Sequence, residues 1–229
     1  MTLLAAFLPS QSSEPWGPVP AEANFFGKWP ELSDPTWQTA PNDLTITRLA
    51  TGRIGSDRVT DAVALRHHAV HGTAAVYLPN PARQNASARL VTHPSSGAVL
   101  DIAVFPGAGG AGIDHVLVLT ETALEVHAAS TGPIPARIQR LTSWADVDRL
   151  WMLDDVGGNS IAFGRAGSQL RRLELHNGQL VSTSPIPTVA NVDRVLTMDW
   201  DNNGTDELVF WADPHVVIAT SGGTAIHLI

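Results

Sequence analysis

Residues Asp199-Trp200-Asp201-Asn202-Asn203-Gly204-Thr205-Asp206-Glu207-Leu208 combine oxygen-bearing side chains at a spacing that suits one hard cation. Counted from Asp199, they stand at loop positions 1, 3, 5 and 9, with glycine at position 6 where the chain must turn sharply. A cation of calcium size takes about 6–8 oxygens. Asp199, Asp201, Asn203 and Glu207, with the Thr205 carbonyl, compose a partial cage for a single structural Ca2+. The competing reading is an Asp/Asn-rich turn whose side chains bond their own backbone. Position 12 holds the apolar Phe210 and both flanks are strand-like, so a helical EF-hand does not fit.

Three other groups have the right residue types for chemistry and the wrong surroundings. Gly107-Ala-Gly109-Gly-Ala-Gly112 matches a dinucleotide fingerprint but leads into the strand-like Ile113–Leu119. No helix N-terminus is then available for a pyrophosphate, and a hairpin loop is the better reading. His67, His68 and His71 cluster between the second and third strands of their repeat, without a carboxylate at ligand spacing, and read as a solvated hairpin. Asp154-Asp155 is a carboxylate pair of the kind that forms turns at strand ends. No Gly-x-Ser-x-Gly elbow or local triad occurs, so the chain reads as non-catalytic. Trp144, Trp151, Trp200 and Trp211 are spread through the last two repeats, where aromatics at loop mouths can stack on sugars; Trp200 is the best placed.

These groups sit on a repeating frame. Ala145-Asp-Val-Asp-Arg-Leu150 recurs as Ala190-Asn-Val-Asp-Arg-Val195, and each copy runs through apolar residues to an aspartate, Asp154 or Asp199. Looser copies at 49–65 and 100–119 keep the order of strand, polar turn and a second strand led by an acid, Asp61 or Asp114. A fixed period of this size marks a propeller or stacked array. Short runs of Val, Ile, Leu and Thr alternate with Gly, Asn, Asp and Pro, which predicts strands throughout. In the last repeat the strands fall near 192–198, 207–212, 215–220 and 224–228, and Asn177-Gly178 predicts a two-residue hairpin in the third. The expectation is an all-β propeller of about four four-stranded blades, with repeats near 45–97, 98–145, 146–190 and 191–229. It either closes as a ring or forms an arc completed by a second subunit.

Residues 1–44 differ, with seven of the sixteen prolines and three of the seven tryptophans. They predict an irregular arm that wraps its own domain or docks on another subunit. Met1–Pro9 is apolar like a signal-peptide core but lacks a positive flank, and reads as a docking segment. Net charge is −8 with no basic cluster, which argues against a nucleic-acid partner. No apolar run approaches the roughly 18 residues of a membrane helix. Cysteine is absent, so disulfides and thiolate sites are excluded.

The 199–208 motif and the repeat plan together resemble the FG-GAP/VCBS repeat family of β-propellers, found in integrin α-chains and many bacterial surface proteins. In that family a strand leads into an Asp-x-Asp-x-Asp-Gly calcium loop and a second strand opening Asp-Leu or Glu-Leu. Here Asn203 replaces the third aspartate, Arg53 occupies the first ligand position of repeat one, and repeats two and three lack the ligand set. The resemblance implies at most one structural calcium, an extracellular or cell-surface setting, and a role in protein–protein interaction or assembly through a protein partner or a homo-oligomer. A carbohydrate-binding propeller is the first alternative, and a lyase or hydrolase site assembled across blades the second.

Overall fold

A computed structural model describes residues 44–55, 57, 59–68, 72–81, 89–91, 97–109, 112–130, 134–154, 160–167, 169–187, 194–200, 202, 204, 206–212, 215–219 and 225–228. The predicted arm, and with it Met1–Pro9, lies outside them.

Among the described residues, sixteen strands form four antiparallel four-stranded sheets, each a meander of consecutive strands. Sheet I holds β1 (Leu44–Gly52), β2 (Asp61–His68), β3 (Gly72–Leu78) and β4 (Arg89–Leu90). Sheet II holds β5 (Val99–Phe105), β6 (His115–Thr120), β7 (Ala123–Ala128) and β8 (Ala136–Leu141). A turn of 3-10 helix, Thr142–Trp144, leads to sheet III: β9 (Arg149–Asp154), β10 (Ser160–Ala166), β11 (Gln169–His176) and β12 (Gln179–Pro187). Sheet IV holds β13 (Arg194–Met198), β14 (Glu207–Ala212), β15 (His215–Ala219) and β16 (Ala225–Leu228). The all-β class and the four four-stranded sheets agree with the repeat pattern. Asn177 and Gly178 both take positive φ, the conformation that a type I′ hairpin between β11 and β12 requires. Among the described residues no helix is long and apolar enough to cross a membrane.

The run His115-Val-Leu-Val-Leu-Thr120 is buried at every position, where a half-solvated strand would alternate. Its side chains alternate between two cores. Val116 and Val118 join Ile102 and Val104 against Val63, Leu65, Ala75 and Tyr77 of sheet I. Leu117 and Leu119 join Phe105 and Leu124 against Leu150, Ala162, Leu173 and Leu180 of sheet III. Sheet II is therefore the middle of three packed layers.

The first strands of these sheets converge. Arg48 on β1 donates through Nη1 to Asp101 on β5 at 2.6 Å and through Nη2 to the Leu150 carbonyl on β9 at 2.9 Å. Packed sheets stand about 10 Å apart, so in a flat stack two spacings would separate β1 from β9, beyond the reach of an arginine. One side chain touching three successive sheets means that their leading edges meet near a common line, as blades do.

Both flanks of this three-sheet body are also buried. On sheet I the face turned away from sheet II carries Ala62, Ala64, Arg66, Ala74, Val76 and Leu78, all inaccessible. On sheet III the corresponding face carries the buried Leu153, Ile161, Phe163 and Leu170 beside the half-buried Trp151, Arg172 and Glu174. In sheet IV the adjacent Leu208 and Val209, which point to opposite faces, are both buried.

Candidate functional site

The acid that leads the second strand does the same local work in three of the four sheets. Asp61 is buried at the start of β2 and accepts from the Gly55 amide (2.6 Å), the Asn80 amide (2.9 Å) and the Tyr77 hydroxyl (2.9 Å). Burial first, and Asp61 next, push the Tyr77 phenol well above its ordinary range. Asp114, just before β6, accepts from the Gly107 amide at 2.9 Å and from the Arg53 amide of the neighbouring sheet at 2.7 Å. Glu207, buried at the start of β14, accepts from the Trp200 amide at 2.7 Å. Sheet III has the neutral Ser160 at the equivalent place, also buried. A carboxylate here ties down the connection between the first and second strands by satisfying amides that would otherwise lack partners.

This geometry bears directly on the predicted cation loop. Asp199 accepts from the Gly204 amide at 2.9 Å, and Glu207 braces Trp200 from the other side. The structure thus places the two ends of the ligand set on the loop's own backbone; Asp201, Asn203 and Thr205 lie outside the described residues. Among the described residues no group of three or more His, Asp or Glu side chains gathers as a metal site. What the loop displays is Trp200, 47% exposed at the tip of a braced connection, beside the exposed Met198.

The remaining candidates resolve individually. The glycine-rich segment joins the antiparallel strands β5 and β6, with Gly107 and Gly112 at positive φ, so a hairpin connection stands where a nucleotide site would need a helix. His67 and His68 are the last residues of β2 and not part of a loop, a correction to their expected position. His67 is exposed, with Nδ1 3.3 Å from the Thr73 hydroxyl, and His71 lies outside the described residues. Trp144 does not stand at a loop mouth: it is fully buried between sheets II and III, its indole N–H donating to Ser182 Oγ at 3.0 Å.

Two charged clusters escaped the sequence reading. In sheet II, Glu125 is buried with Oε2 3.3 Å from His127 Nε2 and Oε1 2.7 Å from Arg137 Nη1. The His127 hydrogen bond first, and Arg137 next, hold the Glu125 carboxyl below its ordinary range. Both Glu125 and His127 are enclosed, so the pair has no face open to a substrate. The second cluster is the one on the converging strands. Asp101, 3% exposed, accepts from Arg48, from the Leu150 amide at 2.8 Å and from the Ile102 amide at 2.9 Å. Arg149 stands 3.9 Å from the same carboxylate and is 58% exposed. Burial is the largest influence on both members of the close pair, lowering the Arg48 pKa and raising that of Asp101, so desolvation outweighs their mutual attraction.

No protein-family model and no curated protein matches this chain. The functional reading therefore rests on the geometry above.

Proposed function

We propose that the chain is a four-bladed β-propeller, closed by sheet IV, that acts as a non-catalytic module for protein–protein interaction or assembly. Closure is supported by the burial of the outer faces of sheets I and III, because sheet II covers only their inner faces. A fourth blade between them buries both at once, and burial on each side of Leu208–Val209 fits that position. The observation that carries the function is Trp200: an exposed aromatic in a connection that Asp199 and Glu207 brace through the Gly204 and Trp200 amides. Aromatics presented on a rigid support are typical contact anchors at protein interfaces. The FG-GAP/VCBS plan, an extracellular or surface setting and docking through residues 1–44 belong to the same reading.

Sedimentation of the full chain beside a 45–229 version tests the docking arm. The expected result is that the deletion lowers the assembled mass while leaving the melting temperature within a few degrees; unchanged assembly would remove the arm from the proposal. A glycan array addresses the carbohydrate alternative, which Trp200 also favours. Glycan binding that disappears in Trp200→Ala would replace the protein-interaction reading with a lectin.

Any bound calcium in this reading is a single structural ion in the 199–207 loop. Its expected signature is a rise in melting temperature in millimolar Ca2+ that Asp199→Ala abolishes, since a ligand bound only to the native state stabilises it. Equal melting with calcium and with chelator would sink the site.

A further inference from the structure

The last strands of sheets II and III, each at the edge of its sheet, meet in an apolar rim. Gln139 on β8 donates through Nε2 to the Leu180 carbonyl on β12 at 2.6 Å. Three exposed apolar side chains surround this link: Ile138 beside Gln139, Val181 beside Leu180, and Leu175 opposite Leu180 in the ladder. Ile138, 56% exposed, is the most open large hydrophobic among the described residues. It is also the extra residue of a bulge, because Val126 pairs with Gln139 and His127 with Arg137. A bulge of this kind re-aims a side chain and interrupts the ladder.

Charge narrows what can cover the rim. Arg137 and Arg140 flank Ile138, and β8 itself carries no acid. Buried Glu125 neutralises Arg137 at 2.7 Å. Arg140 approaches the same carboxylate only to 3.9 Å, donates to the Thr122 hydroxyl and is 43% exposed. The β8 strand of a second copy is a poor cover, since antiparallel pairing centred between Ile138 and Gln139 sets Arg137 against Arg140. An acidic segment with apolar side chains is a good one. Residues 1–44 have that composition: five carboxylates, from Glu14 to Asp43, stand against the single Lys28, among Leu, Phe and Trp residues. Their seven prolines favour an extended chain, which loses less entropy when it is ordered on a surface.

We propose that the β8–β12 rim is the docking surface for residues 1–44 of a second copy of this chain. Apolar side chains of that segment cover Ile138, Leu175 and Val181, and one of its carboxylates pairs with Arg140. The surface rests on the reading that this segment docks on another subunit, and it supplies the acceptor that reading lacks.

The test is sedimentation of the full chain beside Ile138→Glu, Arg140→Glu and the control Val59→Glu. Val59 is exposed in the β1–β2 connection and takes no part in the rim. The expected result is that the parent assembles, that both rim variants weaken association at least about tenfold, and that Val59→Glu does not. Replacing the five carboxylates of residues 1–44 by their amides should weaken the parent as well and add little in Arg140→Glu. Ile138→Ser/Val181→Ser repeats the measurement without adding charge, and its melting temperature should stay within a few degrees of the parent. Association that survives both Ile138→Glu and Ile138→Ser/Val181→Ser overturns the surface. If those variants are silent while removal of residues 1–44 lowers the assembled mass, the segment docks elsewhere and the arm reading stands. If the removal leaves the mass unchanged, the arm reading fails and the surface falls with it. A full chain that stays monomeric overturns docking between copies, whether or not the segment covers its own rim.

Discussion

Asp101→Ala is expected to cost about 3–5 kcal/mol of stability, the range for removing one partner of a buried ion pair. The substitution strands the Arg48 guanidinium and leaves the Leu150 and Ile102 amides without their acceptor. For a chain of this size the loss reads as a fall in melting temperature of roughly 6–20 °C. Asp101→Asn keeps an acceptor oxygen and should fall in between. Burial raises the Asp101 pKa, so the native state holds this proton more readily than the unfolded chain does. This group alone therefore takes stability away as pH climbs above about 4, and Asp101→Asn should remove that portion of the pH dependence. In Arg48→Met/Asp101→Leu the two losses should fall short of additive by at least about 1 kcal/mol, because no buried charge is left over. Urea unfolding of the four proteins checks this, and an Asp101→Ala change under about 0.5 kcal/mol would show that the converging edges do not depend on the pair.

Trp144→Ala is expected to cost about 3–5 kcal/mol, the range for emptying a buried aromatic site. The indole fills the gap between sheets II and III at a place where sheet III has no side chain. A Cβ built on Gly164 would lie 2.5 Å from Trp144 Cζ3 and 2.7 Å from Val147 Cγ1. Gly164→Ala in the parent should therefore destabilise by about 1–3 kcal/mol through overpacking. In the Trp144→Ala background two of the three close approaches vanish, and the same methyl should cost less, with the Val147 Cγ1 contact at 2.7 Å remaining. A double-mutant cycle by thermal or urea unfolding measures this coupling; strict additivity would mean that the two residues do not share the contact.

The parts of this architecture that were legible in the sequence are those written locally. Alternating apolar runs, the Asn177-Gly178 turn and the 45-residue recurrence of Asp-Arg-Leu and Asp-Arg-Val mark strands, hairpin and repeat, because each depends on neighbours in the chain. The acids leading β2, β6 and β14 were visible as Asp61, Asp114 and Glu207, but their use was not. The same residue types serve a cation cage or an amide brace, and only the positions of the donor amides separate the two. The Arg48–Asp101 cluster on the converging strands was harder to see because Arg48, Asp101 and Leu150 are brought together across 102 residues by packing. Trp144 misled for a related reason: its environment is set by the missing side chain of Gly164, which has no local trace.

Each sheet is a single contiguous stretch of chain, with no strand lent to a neighbour. Nearly all of its ladder pairings join residues within one hairpin, so the first contacts made during folding are close in sequence and carry a small loop-closure cost. A meander can form as soon as it leaves the ribosome and then dock on the one before it, through side-chain packing and links such as Arg53 to Asp114. Among the described residues no strand exchange joins the first sheet to the last. In the proposed ring, the junction of sheets I and IV would be sealed last and would be the natural place for it to spring open.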